Sequence, residues 1–407
     1  MNIIYISSAC KPTNIDDINK TATKKLEISG VKFHNLLMKG LEHNEINVIS
    51  IVGLPISKKT NKKVFWRKKK EKEGNITYCQ VGFINIPIFK QLTTAFNIFK
   101  TYIKYGKKEK ETYTIIDATY VTVLPFVLFV SKMLKIKTIG IVADIYDYMC
   151  DVDNNNGKGK IIKNFIKKRN KNMYLKLDGF ILLTEKMNEV INLNQKPYLV
   201  IEGCSDSNMK DKYLIPKNEK KIILYSGKLS EKFGIKILVE GYKKANIENS
   251  ELWIYGDGEL TDYIKIQSRE HLSIKYKGMV SNEEVVKAQM QATLLVNPRP
   301  TTEQFTKYSF PSKNIEYMAS GTPILTTKLQ GMPIEYYKYI FTIEKETVDG
   351  IAEAMQEILN KPIGEIYKKG IEAKDFVINE KNENVQAKKI INFVEGEIWW
   401  LKLLKKK

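Results

Sequence analysis

The segment Ser309–Leu325, SFPSKNIEYMASGTPIL, combines a helix start suited to phosphate with an acid inside the helix. Ser309 can cap the amino end and Pro311 suits the first turn, while a Gly-Thr-Pro run ends the helix. The unpaired amides of such a start, the helix dipole and Lys313 would attract a diphosphate. One turn later, Glu316 could accept hydrogen bonds from sugar hydroxyls. The pattern therefore indicates the chemistry of a nucleotide-sugar site.

The same residues also fit an ordinary amphipathic helix that follows a strand. In that case Ile315 and Met318 would pack on a sheet, and Glu316 would be solvated. The motif alone leaves both interpretations open.

The segment resembles the donor-site signature of retaining glycosyltransferases of family 4, especially the bacterial branch that builds capsular polysaccharides and exopolysaccharides. The matching pattern is FPSK, then EYMASG, then a proline before an apolar strand. The resemblance covers most of the chain and implies that Glu316 holds the ribose hydroxyls of the donor. It also implies a donor-binding set at the helix start: Ser309, Phe310, Pro311, Ser312 and Lys313.

A second candidate motif, Gly227–Gly234 (GKLSEKFG), follows an apolar strand and opens a helix. In the family, a Gly-Arg-Leu turn and a later Lys-Gly pair contact the donor diphosphate, which implies such a role for Gly227, Lys228 and Lys232. Here Lys228 replaces the arginine, and Phe233 stands where the second cation would be, with Lys232 one position earlier. Lysine lacks the bidentate fork of arginine. The alternative is a pair of surface lysines at a helix start.

Two further turns resemble family positions near the nucleotide. Gly256-Asp257-Gly258 ends the next predicted strand, although any sharp loop uses these residue types. The turn Gly278-Met279-Val280 resembles the position whose backbone contacts the nucleobase, which implies donor contacts at Met279 and Val280.

Recognition of the donor sugar is where the sequence departs most from the family. Two prolines flank Arg299 in an extended segment, so Arg299 could pair with phosphate or a charged sugar, or equally with a nearby acid. The family places a first glutamate eight positions before the one at Glu316, and this chain has Tyr308 there. Glu303 or backbone groups near Tyr308 could substitute.

The first half of the chain contributes Asp144, in GIVADIYDY, at the end of an apolar strand. This position resembles the one where relatives place a histidine or aspartate beside the reacting sugar. A carboxylate there could orient an acceptor hydroxyl or stabilise developing positive charge, and the alternative is a helix cap. Asp144, Lys228 and Glu316 form the catalytic set that the resemblance implies.

No metal or other cofactor is predicted. Asp151-Val152-Asp153 imitates a metal-binding acid pair but lies in an Asn- and Gly-rich stretch, so we interpret it as a loop. The histidines and cysteines show no metal-ligand spacing, and the cysteines are expected to be reduced. These residues are His34, His43, His271, Cys10, Cys79, Cys150 and Cys204.

Apolar β-rich runs alternate with helical patterns along all 407 residues, which predicts an α/β fold with parallel sheets. The layout resembles GT-B, with two Rossmann-like domains whose sheets face an interdomain cleft. The predicted boundaries are 1–204 for an acceptor-binding domain, 205–220 for a linker, 221–380 for a nucleotide-sugar-binding domain and 381–407 for a helix that crosses back to the first domain.

The formal net charge of +20 invites an anionic partner, although a lysine-rich composition inflates it. Three clusters mix cations with apolar side chains, as in segments that lie in a membrane interface: Lys62–Lys72, Lys158–Lys171 and, more weakly, Ile398–Lys407. Solvated faces and a ragged terminus are the alternatives. No run is long enough to span a bilayer, and the start MNIIYISS lacks the features of a signal peptide.

These observations predict a metal-independent glycosyltransferase that moves a sugar from a nucleoside diphosphate sugar to a lipid-linked glycan acceptor. The resemblance implies retention of stereochemistry and a role in bacterial surface polysaccharide synthesis, with the protein in the cytoplasm and peripherally bound to an anionic membrane. A nucleotide-sugar epimerase of the same fold is one alternative, although histidine is scarce. A basic nucleic-acid-binding protein is the other, but no recognition module is visible, so nucleic acid is not an expected partner.

Overall fold

The computed structural model of the protein describes residues 1–24, 26, 29–107, 111–145, 167–212 and 219–398. The chain divides into two compact units. Unit 1 comprises Met1–Cys204 and Glu383–Lys407, and unit 2 comprises Ser205–Asn382. The sequence predictions for Asp151, Asp153, Cys150, most of the second basic cluster and nearly all of the tail fall outside the described residues.

Unit 1 contains ten described strands: β1 Asn2–Ser7, β2 Asn47–Val52, β3 Phe65–Trp66, β4 Lys69–Glu73, β5 Ile76–Gln80, β6 Phe83–Ile84, β7 Thr112–Asp117, β8 Lys137–Val142, β9 Gly179–Leu182 and β10 Tyr198–Val200. Eight of them form one sheet in the order β10-β9-β8-β7-β1-β2-β5-β4. All neighbours in it are parallel except β4, which runs antiparallel to β5 at the edge. The short strands β3 and β6 pair separately.

The described helices of unit 1 are α1 Ile15–Asn19, α2 Ser29–His43, α3 Phe89–Gly106, α4 Leu124–Leu134 and α5 Glu185–Ile191, with α12 Glu383–Phe393 from the end of the chain. A π-helical turn, Val394–Ile398, follows α12. The strand β1 is buried from Ile3 onward, as expected for a parallel sheet covered on both faces. The core of unit 1 joins β1 to apolar side chains of α2 and α12, such as Leu37 and Ile390.

Unit 2 contains the strands β11 Lys221–Ser226, β12 Ser250–Tyr255, β13 Ile274–Gly278, β14 Leu294–Asn297, β15 Ile324–Thr327 and β16 Phe341–Ile343. Its helices are α6 Ile235–Ala245, α7 Thr261–Glu270, α8 Asn282–Gln291, α9 Ser312–Ala319, α10 Val348–Leu359 and α11 Ile363–Glu380. The strands form one all-parallel sheet in the order β13-β12-β11-β14-β15-β16. Along the chain, strands are added on one side of β11 as far as β13 and then on its other side, beginning with β14. The direction in which strands are added therefore reverses between β11 and β14.

The predicted α/β class with parallel sheets is confirmed. The edge strand β4 and the separate pair of β3 and β6 were not predicted. The segment after β1 contains α1, and the buried Asn14 that precedes this helix donates a hydrogen bond to Glu71 Oε2 of β4 (2.6 Å). Among the described helices, none is long and apolar enough to cross a membrane.

Candidate functional site

The candidate site lies at the carboxyl ends of the strands of unit 2, where the strand order reverses. Ligands of open α/β sheets bind at such switch points. Three glycine turns follow adjacent strands there and are joined by hydrogen bonds: the Gly227 amide donates to Tyr255 O (2.9 Å), and the Gly256 amide donates to Gly278 O (2.8 Å). Gly256 has φ of 127°, and a Cβ there would collide with the Gly227 carbonyl, so this turn requires glycine.

The helix α9 begins at Ser312, with Pro311 as its N-cap residue. The prediction that Ser309 caps the helix was wrong, because Pro311 is still extended (φ −75°, ψ 92°) and delays the helix start. The Ser309 hydroxyl instead accepts a long hydrogen bond from Arg299 Nη1 (3.4 Å). Since proline has no capping side chain, the amides of the first turn lack the cap that the sequence suggested.

Buried polar contacts fix α9 against two strands. Asn297 Nδ2, at the end of β14, donates to Asn314 Oδ1 (2.7 Å). The Ser226 amide, at the end of β11, donates to Tyr317 Oη (2.8 Å). The apolar face of α9 is buried, so Ile315 and Met318 pack as the amphipathic-helix interpretation expected. The start of α9 is thereby held at the switch point.

Glu316 is half-buried rather than solvated, and a side chain that the sequence analysis missed holds it. Gln289 Nε2, on α8, donates to Glu316 Oε1 (2.8 Å) and lies 3.2 Å from Ser226 Oγ. Gln289 is completely buried. A glutamine inside the buried stripe of a helix was the available signal, because a buried amide needs a partner.

Lys313 lies against the first glycine turn. A Cβ built on Gly227 would come within 2.5 Å of Lys313 Cε and 2.7 Å of Tyr225 Oη. The side chain of Lys313 therefore passes directly over Gly227, and the absence of a side chain there makes this path possible. The neighbouring Lys228 is exposed, and its carbonyl accepts a hydrogen bond from Tyr225 Oη (3.0 Å).

Glu259 accepts hydrogen bonds from the residues that follow Lys228 in the first glycine turn. Its Oε1 accepts from Ser230 Oγ (2.7 Å) and from the Glu231 amide (3.0 Å). These hydrogen bonds, together with the charges of Lys228 and Lys232, lower the pKa of Glu259. The helix α6 begins only at Ile235, after a short 3-10 turn, so the cations of this motif precede the helix start by several residues.

Arg299 lies beside two aromatic rings. Its guanidinium carbon lies 5.0 Å from the centroid of Phe233 and 5.4 Å from that of Phe305. The two rings contact each other edge to face, with centroids 6.0 Å apart. Phe233, which stands where the resemblance implied a second cation, thus places its ring beside the cation of Arg299.

Three predicted donor contacts differ in the exposure of their side chains. The ring of Phe310 is buried against Tyr336, with centroids 5.1 Å apart, so its predicted contact is limited to the backbone. Met279 is exposed, Val280 is half-buried, and both lie between the Gly278 turn and Ser281, which caps α8 through the Glu284 amide (3.2 Å).

Asp144 belongs to unit 1, where it is exposed two residues after β8.

Another carboxylate of unit 1, Asp117, ends β7 and pairs with the buried His34 (3.4 Å between Nε2 and Oδ2). Tyr5 Oη lies 2.8 Å from His34 Nδ1. Burial and the charge of Asp117 raise the pKa of Tyr5, so its hydroxyl stays protonated beside His34. The histidine thus has partners that spacing did not reveal.

Within the described ranges, no group of three or more His, Cys, Asp and Glu residues is arranged to hold a metal ion. Cys10, Cys79 and Cys204 are free thiols.

Residues 205–397 match the family model of glycosyl transferases group 1. No curated protein sequence matches the chain.

Solved structures with the GT-B fold resemble the whole chain. A sucrose-phosphate synthase from Thermosynechococcus elongatus is 14% identical, with full coverage of both chains and a TM-score of 0.68. Anabaena HepE in complex with UDP is 12% identical, with coverage of 97% of this chain and 100% of the other and a TM-score of 0.63. The lipopolysaccharide outer core galactosyltransferase WaaB is 16% identical, with coverage of 97% and 99% and a TM-score of 0.61. The fold of this chain is therefore GT-B.

Proposed function

We propose that the protein is a glycosyltransferase that uses a nucleoside diphosphate sugar as donor. The observation that carries the proposal is the placement of Lys313 over the Gly227 turn, one helical turn before the half-buried Glu316, at the switch point of unit 2. A cation beside backbone amides suits a diphosphate, and a carboxylate held by a buried amide suits the hydroxyls of a ribose. The family match over residues 205–397 supports the same function.

In the proposed reaction, the bond between the anomeric carbon and the diphosphate oxygen breaks, and an acceptor oxygen bonds to that carbon while its proton passes to the leaving diphosphate. The nucleoside diphosphate leaves with the bonding electrons. Lys313, Lys228 and Arg299 would stabilise its charge, with Lys232 nearby, so no metal or other cofactor is proposed. Asp144 would orient the acceptor or stabilise positive charge on the sugar. Retention of stereochemistry is proposed from the resemblance to family 4.

UDP is the first nucleotide to test, because a structure of similar fold was solved in complex with UDP. Gly256, Met279 and Val280 are the proposed surroundings of the nucleotide. The nature of the sugar is the less constrained part of the proposal, since Tyr308 replaces the family's first acid.

We further propose a lipid-linked glycan acceptor in bacterial surface polysaccharide synthesis, at the cytoplasmic face of an anionic membrane. One detail of the predicted membrane contact changes. Trp66 cannot insert into a bilayer from its present position, because it is buried and stacks on Phe83 (centroids 5.9 Å apart). Phe65 beside it is 70% exposed and is available for insertion.

A thermal-shift screen against nucleoside diphosphates and their sugars tests the donor site, because a ligand that binds the native state raises the unfolding temperature. We expect the diphosphate of at least one of uridine, guanosine, adenosine and thymidine to raise the unfolding temperature. The variants Glu316→Ala and Lys228→Ala should each show a smaller rise. Full stabilisation and turnover in both variants would contradict the site assignment.

A further inference from the structure

The helix α3 is apolar on two faces. Its buried face contains Ala95, Ile98 and Tyr102, which pack into unit 1. A second stripe at helical spacing points outward and consists of Phe89, Leu92, Phe96, Phe99 and Ile103. Three of these side chains are more than half exposed: Phe89 at 57%, Leu92 at 61% and Phe96 at 53%. An outward stripe of this size is unusual for a solvated helix and marks an interaction surface.

The neighbouring helix α4 continues the exposed apolar surface. Phe126, Phe129 and Met133 follow one another at helical spacing and are 43%, 62% and 49% exposed. The stripes of the two helices meet around an apolar groove of about 640 Å³, lined by Leu92, Phe96, Phe99, Pro125, Phe126 and Phe129. We call these six residues, with Phe89 and Met133, the aromatic face.

The charged side chains of the two helices that carry the aromatic face are all positive. The sequence of α3 contains three lysines and that of α4 contains one, and neither helix contains an acidic residue. Lys100 Nζ lies over the ring of Phe96 at 4.2 Å from its centroid, and Lys90 Nζ lies 5.7 Å from that of Phe83. The stem of Lys100 thus follows the aromatic face, as lysines do where a hydrocarbon layer meets water, whereas Lys90 lies against a buried ring.

The surface extends to the first basic cluster. Its strand β3 pairs with β6, and the loop after β6 leads into α3 and exposes Ile88 (69%). Phe65, on β3, is exposed as well, and Arg67 and Lys68 follow it. Exposed apolar and cationic side chains are therefore present on β3, on the loop after β6 and on both helices.

We propose that the aromatic face docks unit 1 onto a bilayer that contains anionic lipids, with the rings below the headgroups and the lysines among the phosphates. The charge pattern favours lipid over a second copy of this chain, because self-association through this face would bring lysines against lysines. The inference rests on the proposed function for its purpose, which is to bring the enzyme to a lipid-linked acceptor. Its test does not depend on activity.

Flotation with vesicles tests the proposal on the full chain. One set is phosphatidylcholine alone, and the other is an equal mixture of phosphatidylcholine and phosphatidylglycerol. The apolar variant is Leu92→Ser/Phe96→Ser/Phe129→Ser, and the charge variant is Lys100→Gln/Lys104→Gln/Lys132→Gln. The matched control is Leu272→Ser/Ile334→Ser, which removes two apolar side chains of unit 2 that are 82% and 86% exposed.

We expect the wild type and the control to bind the anionic vesicles and to bind neutral vesicles weakly. The apolar variant should bind at least about tenfold more weakly, because each inserted side chain contributes through its buried area. The charge variant should lose about fivefold per lysine, with less dependence on salt. Equal binding by the apolar variant and the wild type would overturn the proposal. A wild-type dimer that the apolar variant dissociates would assign the face to a second copy instead.

Nucleotide stabilisation, measured on the same variants, separates the two proposals. Retained stabilisation with lost vesicle binding supports the docking face. A different outcome is that the apolar variant loses vesicle binding but still unfolds cooperatively, while no protein, wild type included, binds nucleotide. That outcome would refute the donor site and would still support the docking face.

Discussion

Gln289 Nε2 lies 2.8 Å from Glu316 Oε1, and this contact connects a fully buried amide on α8 to the half-buried carboxylate of the proposed donor site. Gln289 also lies beside Ser226, at the end of β11, whose amide bonds to Tyr317 on α9. The orientation of Glu316 thus depends on the helix before it in the chain and on the central strand of the sheet. Gln289 is a positioning residue by this geometry.

Replacing Gln289 by Leu should weaken donor binding about tenfold, since a hydrogen bond to a charged group contributes about 1.5–3 kcal/mol. The measurement is nucleotide affinity by calorimetry in a double-mutant cycle with Glu316→Gln. If Gln289 acts through Glu316, the two losses will be smaller together than their sum. Additive losses would show that Gln289 only supports the fold.

Replacing Gly227 by Ala should impair nucleotide binding more than stability. The new methyl group would displace the flexible end of Lys313 and crowd the hydroxyl of Tyr225. We expect about a tenfold loss of affinity, of the size of one charge-assisted hydrogen bond. The control is Gly364→Ala, where a Cβ would meet no atom within 4 Å. Equal affinity in Gly227→Ala and the control would show that the path of Lys313 is irrelevant to binding.

The sequence predicted the parts of the fold that depend on local pattern. Apolar strands that alternate with helical periods specify parallel sheets, because both faces of such strands are covered, and this prediction is confirmed. The strand β4, KKEKE, could not be predicted in this way because its side chains are charged and largely exposed. Pairing with β5 at the sheet edge specifies it instead.

Motif spacing was enough to predict which segments contribute to the candidate site. The contacts of individual side chains depend on tertiary packing and could not be predicted from the sequence. The pattern around Pro311 indicated the helix, but not that its start lies beyond Ser309. The residues around Phe310 in the sequence do not show whether its ring faces a ligand or the core. Only the fold shows that Gln289 reaches Glu316 and that Phe233 supports Arg299.

The stability of unit 1 should depend on Asp117 in acid. Burial raises the pKa of this carboxyl, but the hydrogen bond and charge of His34 and the hydrogen bonds from Thr119 lower it overall. A carboxyl whose pKa is lower in the folded state stabilises the protein above its unfolded pKa, near 3.8, and loses this contribution as the pH falls through the folded pKa.

We therefore expect the difference in unfolding free energy between the wild type and Asp117→Asn to be largest near neutral pH and to shrink below about pH 4. Urea denaturation across this range measures it. The control is Asp262→Asn, an exposed carboxylate that pairs with Lys265 on the same helix, which should change stability little at any pH. A difference for Asp117→Asn that stays constant through the acid range would contradict the pairing.

The cation beside Phe233 and Phe305 should require arginine. Arg299→Lys keeps the charge but loses the planar guanidinium, with its fork that can bind two phosphate oxygens, from its place beside both rings. We expect about tenfold weaker binding of the nucleoside diphosphate, since cation–π contacts of this kind contribute about 0.5–2 kcal/mol. The matched control is Arg269→Lys, at an exposed position on α7. Unchanged affinity in Arg299→Lys would exclude its guanidinium from the diphosphate site, whereas a loss of affinity for the diphosphate but not for the nucleoside would place it there.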